Sequence, residues 1–182
     1  MATQGNIAYE AEFEGMVRRH DEMIQQVIPS GSKKRTLEKK IHGLLDELKD
    51  IYQGLFLLKD ISSNMEDTVV SYGERLSSLI VGALIQDAEV FDARSFMKTE
   101  RKHHKYLLDS ALSEQLIKET FRELPRVSVV PGFIASDKHT GRVTNLGRGG
   151  SDYTAAVIAA VLDAAVLEIW TDVDGFMTAD PK

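Results

Sequence analysis

The stretch "LGRGGSDYTAAVIAAVL", residues 146–162, places three glycines and an arginine just before an apolar run. Ser151 is a good N-cap residue, and Asp152 would lie in the first turn, where a carboxylate interacts favourably with the helix dipole. The pattern predicts a helix over residues 151–164. In the plainest interpretation, the glycines only form the turn that precedes this helix.

The same glycines also allow a functional interpretation. They would expose their backbone N–H groups beside a helix N-terminus, an arrangement that binds anions. Arg148 adds a planar, permanently charged group that pairs with carboxylates and phosphates. An anion-binding loop formed by Gly147, Gly149 and Gly150 together with Arg148 is therefore the second interpretation.

Strands and helices alternate on both sides of this loop. Strands are predicted over 127–133 and 165–170, with a further short strand over 88–93 and a helix over 109–124. The order strand–helix–strand with short connections is typical of an α/β layer with a parallel sheet. The polar segment 134–150 is predicted to be a long loop rather than a simple hairpin, and loops of that length are often functional.

The N-terminal third of the chain has a different pattern. Apolar residues recur three and four positions apart over 13–28 and again over 37–58, which predicts two amphipathic helices. The connector "PSGS" between them is short, so the two helices are expected to form an antiparallel hairpin. A third helix is predicted over 64–86. The expected domains are a helical hairpin over 1–61 and an α/β domain over 62–182.

Three known loop motifs were compared with this sequence, and none of them matches it. The glycines match the beginning of the dinucleotide fingerprint G-x-G-x-x-G, but Asp152 occupies the third glycine position and the loop lies far from the preceding strand. No Gly-Lys-Ser/Thr sequence is present for a Walker A loop. An EF-hand register around Gly175 puts Trp170 and Pro181 where acidic calcium ligands are required.

The composition argues against several classes of function. The chain has 182 residues and a net charge of −6, and its few aromatic residues do not alternate with basic ones, so nucleic-acid binding is not expected. It has no cysteine, which excludes disulfides and thiolate zinc sites. The adjacent His103 and His104 cannot face one metal ion from a regular helix, and no metal site is predicted. Since neither a membrane span nor a secretory signal is recognisable, a cytoplasmic location is expected.

Two long segments carry a family resemblance. The sequence "GFIASDKHTGRVTNLGRGGSDYTAAVIAAVL", residues 132–162, followed by "EIWTDVDGFMTADPK", residues 168–182, closely resembles aspartate kinase, a member of the amino acid kinase family. "SYGERLS", residues 71–77, is similar to an earlier Gly-Glu substrate motif of that family. The resemblance covers about residues 64–182, and "EIWTDVDG" is similar to the kinase half of bifunctional aspartokinase–homoserine dehydrogenases.

The resemblance implies an α/β amino acid kinase fold, with αβα layers around a mostly parallel sheet that is incomplete here, plus the N-terminal helical hairpin. It implies transfer of the γ-phosphoryl group of ATP, bound with Mg²⁺, to the side-chain carboxylate of L-aspartate, giving 4-phospho-L-aspartate for lysine, threonine and methionine biosynthesis. By the resemblance, Glu74 holds the substrate ammonium group and Arg148 its α-carboxylate. Gly150, Ser151 and Asp152 shape the reacting region, with Arg148 and Asp152 as the catalytic residues.

The resemblance also implies a nucleotide-binding group near the C-terminal end of the sequence. Thr171 and Asp172 match the family's nucleotide-contacting pair. Met177 stands where the family often has tyrosine, and Lys182 stands where it has arginine. The lysine keeps the positive charge but loses the bidentate fork of the guanidinium group.

One expected motif is missing. The family begins with a strand carrying K-x-G-G-T-S, whose lysine steadies the transferring phosphoryl group, and nothing like it occurs before Glu74. The sequence is therefore expected to be a piece of a larger enzyme that also contains regulatory ACT domains and forms a homo-oligomer. We expect the 182-residue segment to have no aspartate kinase activity by itself.

Alternatives to an aspartate kinase segment stay open at this point. The first is another amino acid kinase that acts on a different carboxylate. The second, from a different class, is a helical interaction module in which residues 1–61 dock a partner without chemistry of their own. A dinucleotide-binding oxidoreductase is disfavoured by the failures of the fingerprint. A K-x-G-G-T-S sequence upstream in the gene would distinguish a kinase from a module.

Overall fold

The computed structural model describes residues 1–103 and 105–171, and within them it contains five α-helices and six strands. The helices are α1 (Tyr9–Val27), α2 (Ser32–Leu58), α3 (Ser63–Leu84), α4 (Ser110–Thr120) and α5 (Gly150–Val161). The strands are β1 (Ala88–Val90), β2 (Lys98–Lys102), β3 (Lys105–Leu108), β4 (Val127–Val129), β5 (Ile134–Asp137) and β6 (Val143–Asn145). Two single-turn 3₁₀ helices occupy Ala2–Gln4 and Ala93–Ser95. None of the described helices is long and apolar enough to cross a membrane.

Helices α1, α2 and α3 share one apolar core. Their apolar residues recur at helical spacing, so each helix presents a stripe of them to the other helices. Ser62 is the N-cap of α3, and its hydroxyl oxygen accepts a hydrogen bond from the N–H of Met65 at 3.3 Å. The three helices predicted from periodicity are therefore confirmed. The buried members of this core are Phe13, Ile24, Ile28, Leu37, Ile41, Leu45, Leu48, Tyr72, Leu76 and Ile80.

The opposite face of α3 packs against the strands. Its buried residues Ser71, Ser78 and Gly82 are small, which allows the strands to approach the helix closely. A Cβ atom at Gly82 would clash with Cγ2 of Val90 in β1. Because α3 meets the helical hairpin with one face and the strands with the other, the hairpin lies outside the strand layer. The domain boundary after residue 61 stays a prediction, since α3 shares its core with the hairpin.

The described strands form two small sheets. In the first sheet, β1 pairs in parallel with β4, and Ala88 lies opposite Val127. In the second, the order is β3–β2–β5–β6, where β2 and β5 are parallel and the sequence neighbours β2–β3 and β5–β6 are antiparallel. Both parallel pairs are connected through α4, which is the crossover expected of an α/β protein. The predicted α/β class is confirmed.

A second apolar core joins the strands to α4 and α5. Met97, Ile117 and Ile134 are completely buried in it, and α5 contributes Val157 and Ile158. Because α5 is held in this core, its N-terminus is fixed close to the beginning of β5. The glycine loop lies at this point.

Residues 134–150 do not form the long loop predicted from their polarity. They form the β5–β6 hairpin, followed by a short glycine turn. The Asp137 carboxylate accepts hydrogen bonds from the N–H groups of His139 (3.1 Å) and Thr140 (2.7 Å) and from the Thr140 hydroxyl (2.7 Å). Gly141 completes the turn at φ 70°. The prediction was wrong because these polar side chains bond to the local backbone and close a tight turn.

Two further strand predictions differ from the structure. The segment 165–170 has the apolar, β-branched composition of a strand, but it pairs with no described strand, and Trp170 is 91% exposed. Composition alone does not make a strand, because its backbone groups need a neighbouring strand. The β2–β3 hairpin was not predicted, since β2 has the sequence KTERK and charged residues have low strand propensity.

We predict that Gly132→Ala destabilises the fold by about 1–3 kcal/mol, the usual cost of overpacking. A Cβ atom at position 132 would lie 2.8 Å from Cα of Ser151, and this backbone atom cannot move without displacing α5. Gly43→Ala is the matched control, because nothing lies within 4 Å of a Cβ at that exposed helical position. We expect the control to stabilise the protein by up to about 1 kcal/mol. Urea unfolding measures both changes, and a Gly132→Ala variant as stable as the wild type would contradict the close contact.

Candidate functional site

The turn between β6 and α5 requires glycine at two positions. Gly147 and Gly149 both have φ 74°, in the left-handed region that side chains disfavour. Gly149 is the N-cap of α5, and it has no side chain to bond to the first turn of the helix. The N-cap role predicted for Ser151 is therefore wrong, because the helix begins at Gly150 and Ser151 already lies inside it.

This N-terminus of α5 has unused backbone donors. The N–H groups of Ser151 and Asp152 form no hydrogen bond with any residue that the structure describes. Both residues are exposed, so these donors face solvent beside the positive end of the helix dipole. Open N–H groups at a helix start form an anion site, which favours the functional interpretation of the glycine loop over the purely structural one.

The loop is fixed to the strand layer by the hydroxyl of Thr154, which is 2% exposed. This hydroxyl donates to the carbonyl of Gly150 at 2.8 Å and accepts from the N–H of Phe133 at 3.2 Å. The carbonyl of Phe133 in turn accepts from the N–H of Leu146 at 2.8 Å. Phe133 has φ 70°, which is unfavourable for a bulky residue and needs such support. A Cβ at Gly150 would lie 3.0–3.2 Å from Phe133 and Leu146, so there is no free space there.

The other end of the loop is fixed to α3. The side-chain oxygen of Asn145 accepts a hydrogen bond from the N–H of Gly147 at 3.0 Å. The side-chain amide of the same Asn145 donates to the carboxylate of Asp67. Burial raises the pKa of Asp67 above its ordinary value, and the neighbouring Glu66 carboxylate raises it further. Through these bonds the glycine loop is connected to the helix that carries Glu74.

Glu74 lies seven residues after Asp67 in α3, and therefore two turns further along the same face. Its side chain is partly buried, and burial raises its pKa above the ordinary value for glutamate. Within residues 1–103 and 105–171, Glu74 forms no ion pair. A partly desolvated carboxylate without a cationic partner is suited to binding a positively charged ligand.

The remaining predicted substrate residues lie together at the start of α5. Gly150 is buried, whereas Arg148, Ser151 and Asp152 are exposed. Arg148 forms no ion pair with any described residue, so its guanidinium group is open to an anion. The site therefore presents one free cation next to open N–H groups and one free carboxylate on α3.

Of the predicted nucleotide-binding residues, only Thr171 is described, and it is exposed. Asp172, Met177 and Lys182 lie outside the described residues. Among residues 1–103 and 105–171 there is no group of three His, Cys, Asp or Glu side chains that could hold a metal ion. Phosphate oxygens fit the donors that are present, namely N–H groups and an arginine. A magnesium ion would therefore have to bring most of its ligands with the nucleotide.

Sequence reasoning missed three residues that build the site: Asp67, Asn145 and Thr154. Thr154 and Asn145 flank the glycine loop closely, but nothing in their local pattern distinguishes them from ordinary helix and strand residues. The sequence gives one weak indication of a role for Asp67, since its spacing of seven residues from Glu74 places both carboxylates on one helix face.

Comparison with known proteins identifies the family. The family model described as "Amino acid kinase family" matches residues 11–182. The chain belongs to the amino acid kinase family. Two of its relatives within this family are a bifunctional aspartokinase/homoserine dehydrogenase of Buchnera aphidicola, 36% identical over 160 residues, and the lysine-sensitive aspartokinase 3 of Escherichia coli, 35% identical over 154 residues. The resemblance to aspartate kinases seen in the sequence is thereby confirmed.

Solved structures of this amino acid kinase family show the same fold. Escherichia coli aspartokinase III in complex with lysine and aspartate superposes with a TM-score of 0.82 at 28% identity, covering 99% of this chain. The same enzyme in complex with aspartate and ADP gives a TM-score of 0.79 at 29% identity over 96% of this chain. The chain spans 41% and 39% of those two structures. The alignment with the Buchnera relative includes 85% of this chain and 20% of the relative. The alignment with the Escherichia relative includes 80% of this chain and 33% of the relative.

We predict that Thr154→Val lowers the free energy of unfolding by about 1–3 kcal/mol, because it leaves the partly buried N–H of Phe133 without its partner. Valine has nearly the same shape, so lost packing does not explain the effect. Thr36→Val, at an exposed position of α2, is the control and should change stability by no more than about 0.5 kcal/mol. Chemical denaturation measures both variants, and equal stabilities would show that the Thr154 hydroxyl does not support the loop.

Proposed function

We propose that this chain is a segment of an aspartate kinase, the enzyme that transfers the γ-phosphoryl group of ATP to the side-chain carboxylate of L-aspartate. The observation that carries the proposal is the pair of free, opposite charges: Arg148 beside the open N–H groups of α5, and Glu74 on α3. The aspartokinase relatives support it, since one solved structure contains aspartate and ADP.

The charges of the substrate suit this pair. Aspartate carries an ammonium group and two carboxylates, so a carboxylate and a guanidinium group of the protein can bind two of them and leave the third for reaction. Glu74 binds the ammonium group. Burial makes the Glu74 carboxylate costly to ionise, and the positive charge of the ligand offsets this cost. Arg148 takes the α-carboxylate with two parallel hydrogen bonds. The side-chain carboxylate is then free to face the nucleotide.

The reaction itself needs positioning and charge compensation more than covalent help. A carboxylate oxygen of aspartate forms the new bond to the γ-phosphorus as the bond to the ADP oxygen breaks, so negative charge is spread over the phosphoryl oxygens. The N–H groups of Ser151 and Asp152 and the helix dipole stabilise this charge without reorganisation. Asp152, in the first turn of α5, orients the cationic groups around the reacting atoms.

The nucleotide side of the proposal extends past the described residues. Thr171, Asp172, Met177 and Lys182 would contact ATP, and magnesium bound through the phosphates would supply further positive charge. The cytoplasmic location, the ACT domains and the homo-oligomeric state of the complete enzyme also stay proposals.

In the complete enzyme, we expect Arg148→Ala to cost about 2–3 kcal/mol of transition-state stabilisation, because a charge-assisted contact to the substrate is lost. This corresponds to a decrease of about 30- to 150-fold in kcat/KM for aspartate. Glu74→Gln should also impair aspartate use while leaving ATP binding intact. Steady-state kinetics with aspartate and ATP varied separately measure both effects.

The controls are Arg142→Ala in the β5–β6 turn and Glu22→Gln on the outer helix α1, both at exposed positions. These should leave kcat/KM unchanged. The Arg148 and Glu74 variants could instead keep the kcat/KM of the controls for aspartate and lose activity toward another amino acid or carboxylate. In that case the chain belongs to a different amino acid kinase. If no variant affects any phosphoryl transfer, the helical interaction module becomes the better explanation.

We expect the 182-residue chain, purified by itself, to fold and to show no measurable aspartate kinase activity. The K-x-G-G-T-S lysine of the family is absent from this sequence, and loss of one preorganised charge-stabilising group commonly costs about 10²–10³ in rate. The assay traps aspartyl phosphate as its hydroxamate in the presence of ATP, magnesium and aspartate, beside a complete aspartokinase. A rate within about tenfold of the complete enzyme would show that the catalytic groups are misassigned.

A further inference from the structure

We propose that Asp67 is a positioning residue for the substrate site, and that it acts through Asn145 to hold the glycine loop at a fixed place relative to Glu74. The inference rests on the proposed function and deepens it. Asp67 does not touch the loop itself: its carboxylate accepts from the Asn145 side-chain amide, and the Asn145 oxygen accepts from the N–H of Gly147. Asn145 therefore uses both ends of its side chain, one toward α3 and one toward the loop.

The two bonds connect the two charged groups that would bind the substrate. Glu74 lies on α3, about 10 Å along the helix from Asp67 and on the same face. Arg148 is the residue that follows Gly147 in the loop. An α-helix is rigid over two turns, so a fixed Asp67–Asn145–Gly147 connection also fixes the distance between Glu74 and the loop. Substrate binding between two charges depends on that distance, because small misplacements weaken both contacts.

The connection is not needed to hold α3 in the fold. Apolar residues on the opposite face of α3, including Leu76 and Ile80, anchor the helix to α1 and α2. Gly82 also packs closely against Val90. Asp67 and Asn145 are only partly buried, and a single partly exposed hydrogen bond contributes little to global stability beside these contacts. The local effect, on the loop, is therefore the one to measure.

Three substitutions, one at Asn145 and two at Asp67, separate the parts of the connection. Asn145→Asp replaces the amide that donates to Asp67 with a second carboxylate. Repulsion between the two carboxylates should move the side chain of residue 145 away from Asp67 and from the N–H of Gly147. Asp67→Asn keeps an acceptor oxygen and should therefore preserve the connection, whereas Asp67→Ala removes it. Tyr72→Phe is the matched control, because it deletes another hydrogen bond of α3, the one from the Tyr72 hydroxyl to Glu47 at 3.0 Å on the hairpin side.

The first measurement is hydrogen exchange of the Gly147 amide, by NMR of the ¹⁵N-labelled 182-residue chain at about pH 8, where aspartate side chains are ionised. We expect Asp67→Ala and Asn145→Asp to accelerate this exchange about tenfold, and Asp67→Asn and Tyr72→Phe to leave it close to the wild-type rate. Should either loop-releasing variant fail to fold, the other still tests the connection. Unchanged Gly147 exchange in the folded variants overturns the proposal.

The second measurement is titration of the same proteins with L-aspartate and, separately, with ADP. We expect the apparent Kd for aspartate to rise about fivefold or more in Asn145→Asp and Asp67→Ala, and to recover in Asp67→Asn, with ADP affinity unchanged throughout. An equal loss in Tyr72→Phe would indicate a general structural effect and overturn the positioning role. If the wild-type chain does not bind aspartate although Gly147 responds as expected, the proposed function fails together with the substrate role, and only the anchoring of the loop stands.

Discussion

Backbone contact between the end of the central strands and the N-terminus of α5 is the constraint on which the site depends. Gly132 lets the backbone approach Cα of Ser151 more closely than a side chain would allow, and the space around Gly150 is also tight. The Thr154 hydroxyl joins Phe133 to the helix in the same place. This contact leaves the N–H groups of Ser151 and Asp152 facing solvent. Close packing thus leaves open backbone donors at a helix start, an arrangement that favours anions, and Arg148 lies beside them.

Helix α3 carries Glu74, the second part of the candidate site. One of its faces is apolar and lies in the hairpin core, while the other carries small and acidic residues and lies on the strands. A carboxylate on the strand face is partly desolvated, which is why burial raises the pKa values of both Asp67 and Glu74. Asp67 has a hydrogen-bond donor in Asn145, whereas Glu74 has no cationic partner among the described residues. The same face therefore contains one carboxylate used by the structure and one left for a ligand.

The sequence was informative where the structure is local and periodic. The three long helices follow from apolar spacing, and the turn before α5 follows from its glycines. The β5–β6 hairpin was not predicted, because its polar residues have the composition of a loop. In the structure the Asp137 carboxylate accepts hydrogen bonds from Thr140 and closes the turn. Residues 165–170 show the opposite error, since they have the composition of a strand but pair with no described strand.

The roles of Glu74 and Arg148 were predicted from the family resemblance. No local pattern predicts the Asp67–Asn145 bond, whose partners are 78 residues apart.

In the proposed site, the unequal environments of Glu74 and Arg148 would favour a zwitterionic ligand. Arg148 is exposed and well solvated, so by itself it attracts many anions weakly. Glu74 is partly buried, and its charge is costly until a cation arrives. A simple anion would satisfy only Arg148, and a simple cation would satisfy only Glu74. In the proposed site, a ligand with both charges at the correct separation would gain both interactions for one loss of translational freedom. Its selectivity would therefore depend on the connection proposed between α3 and the loop.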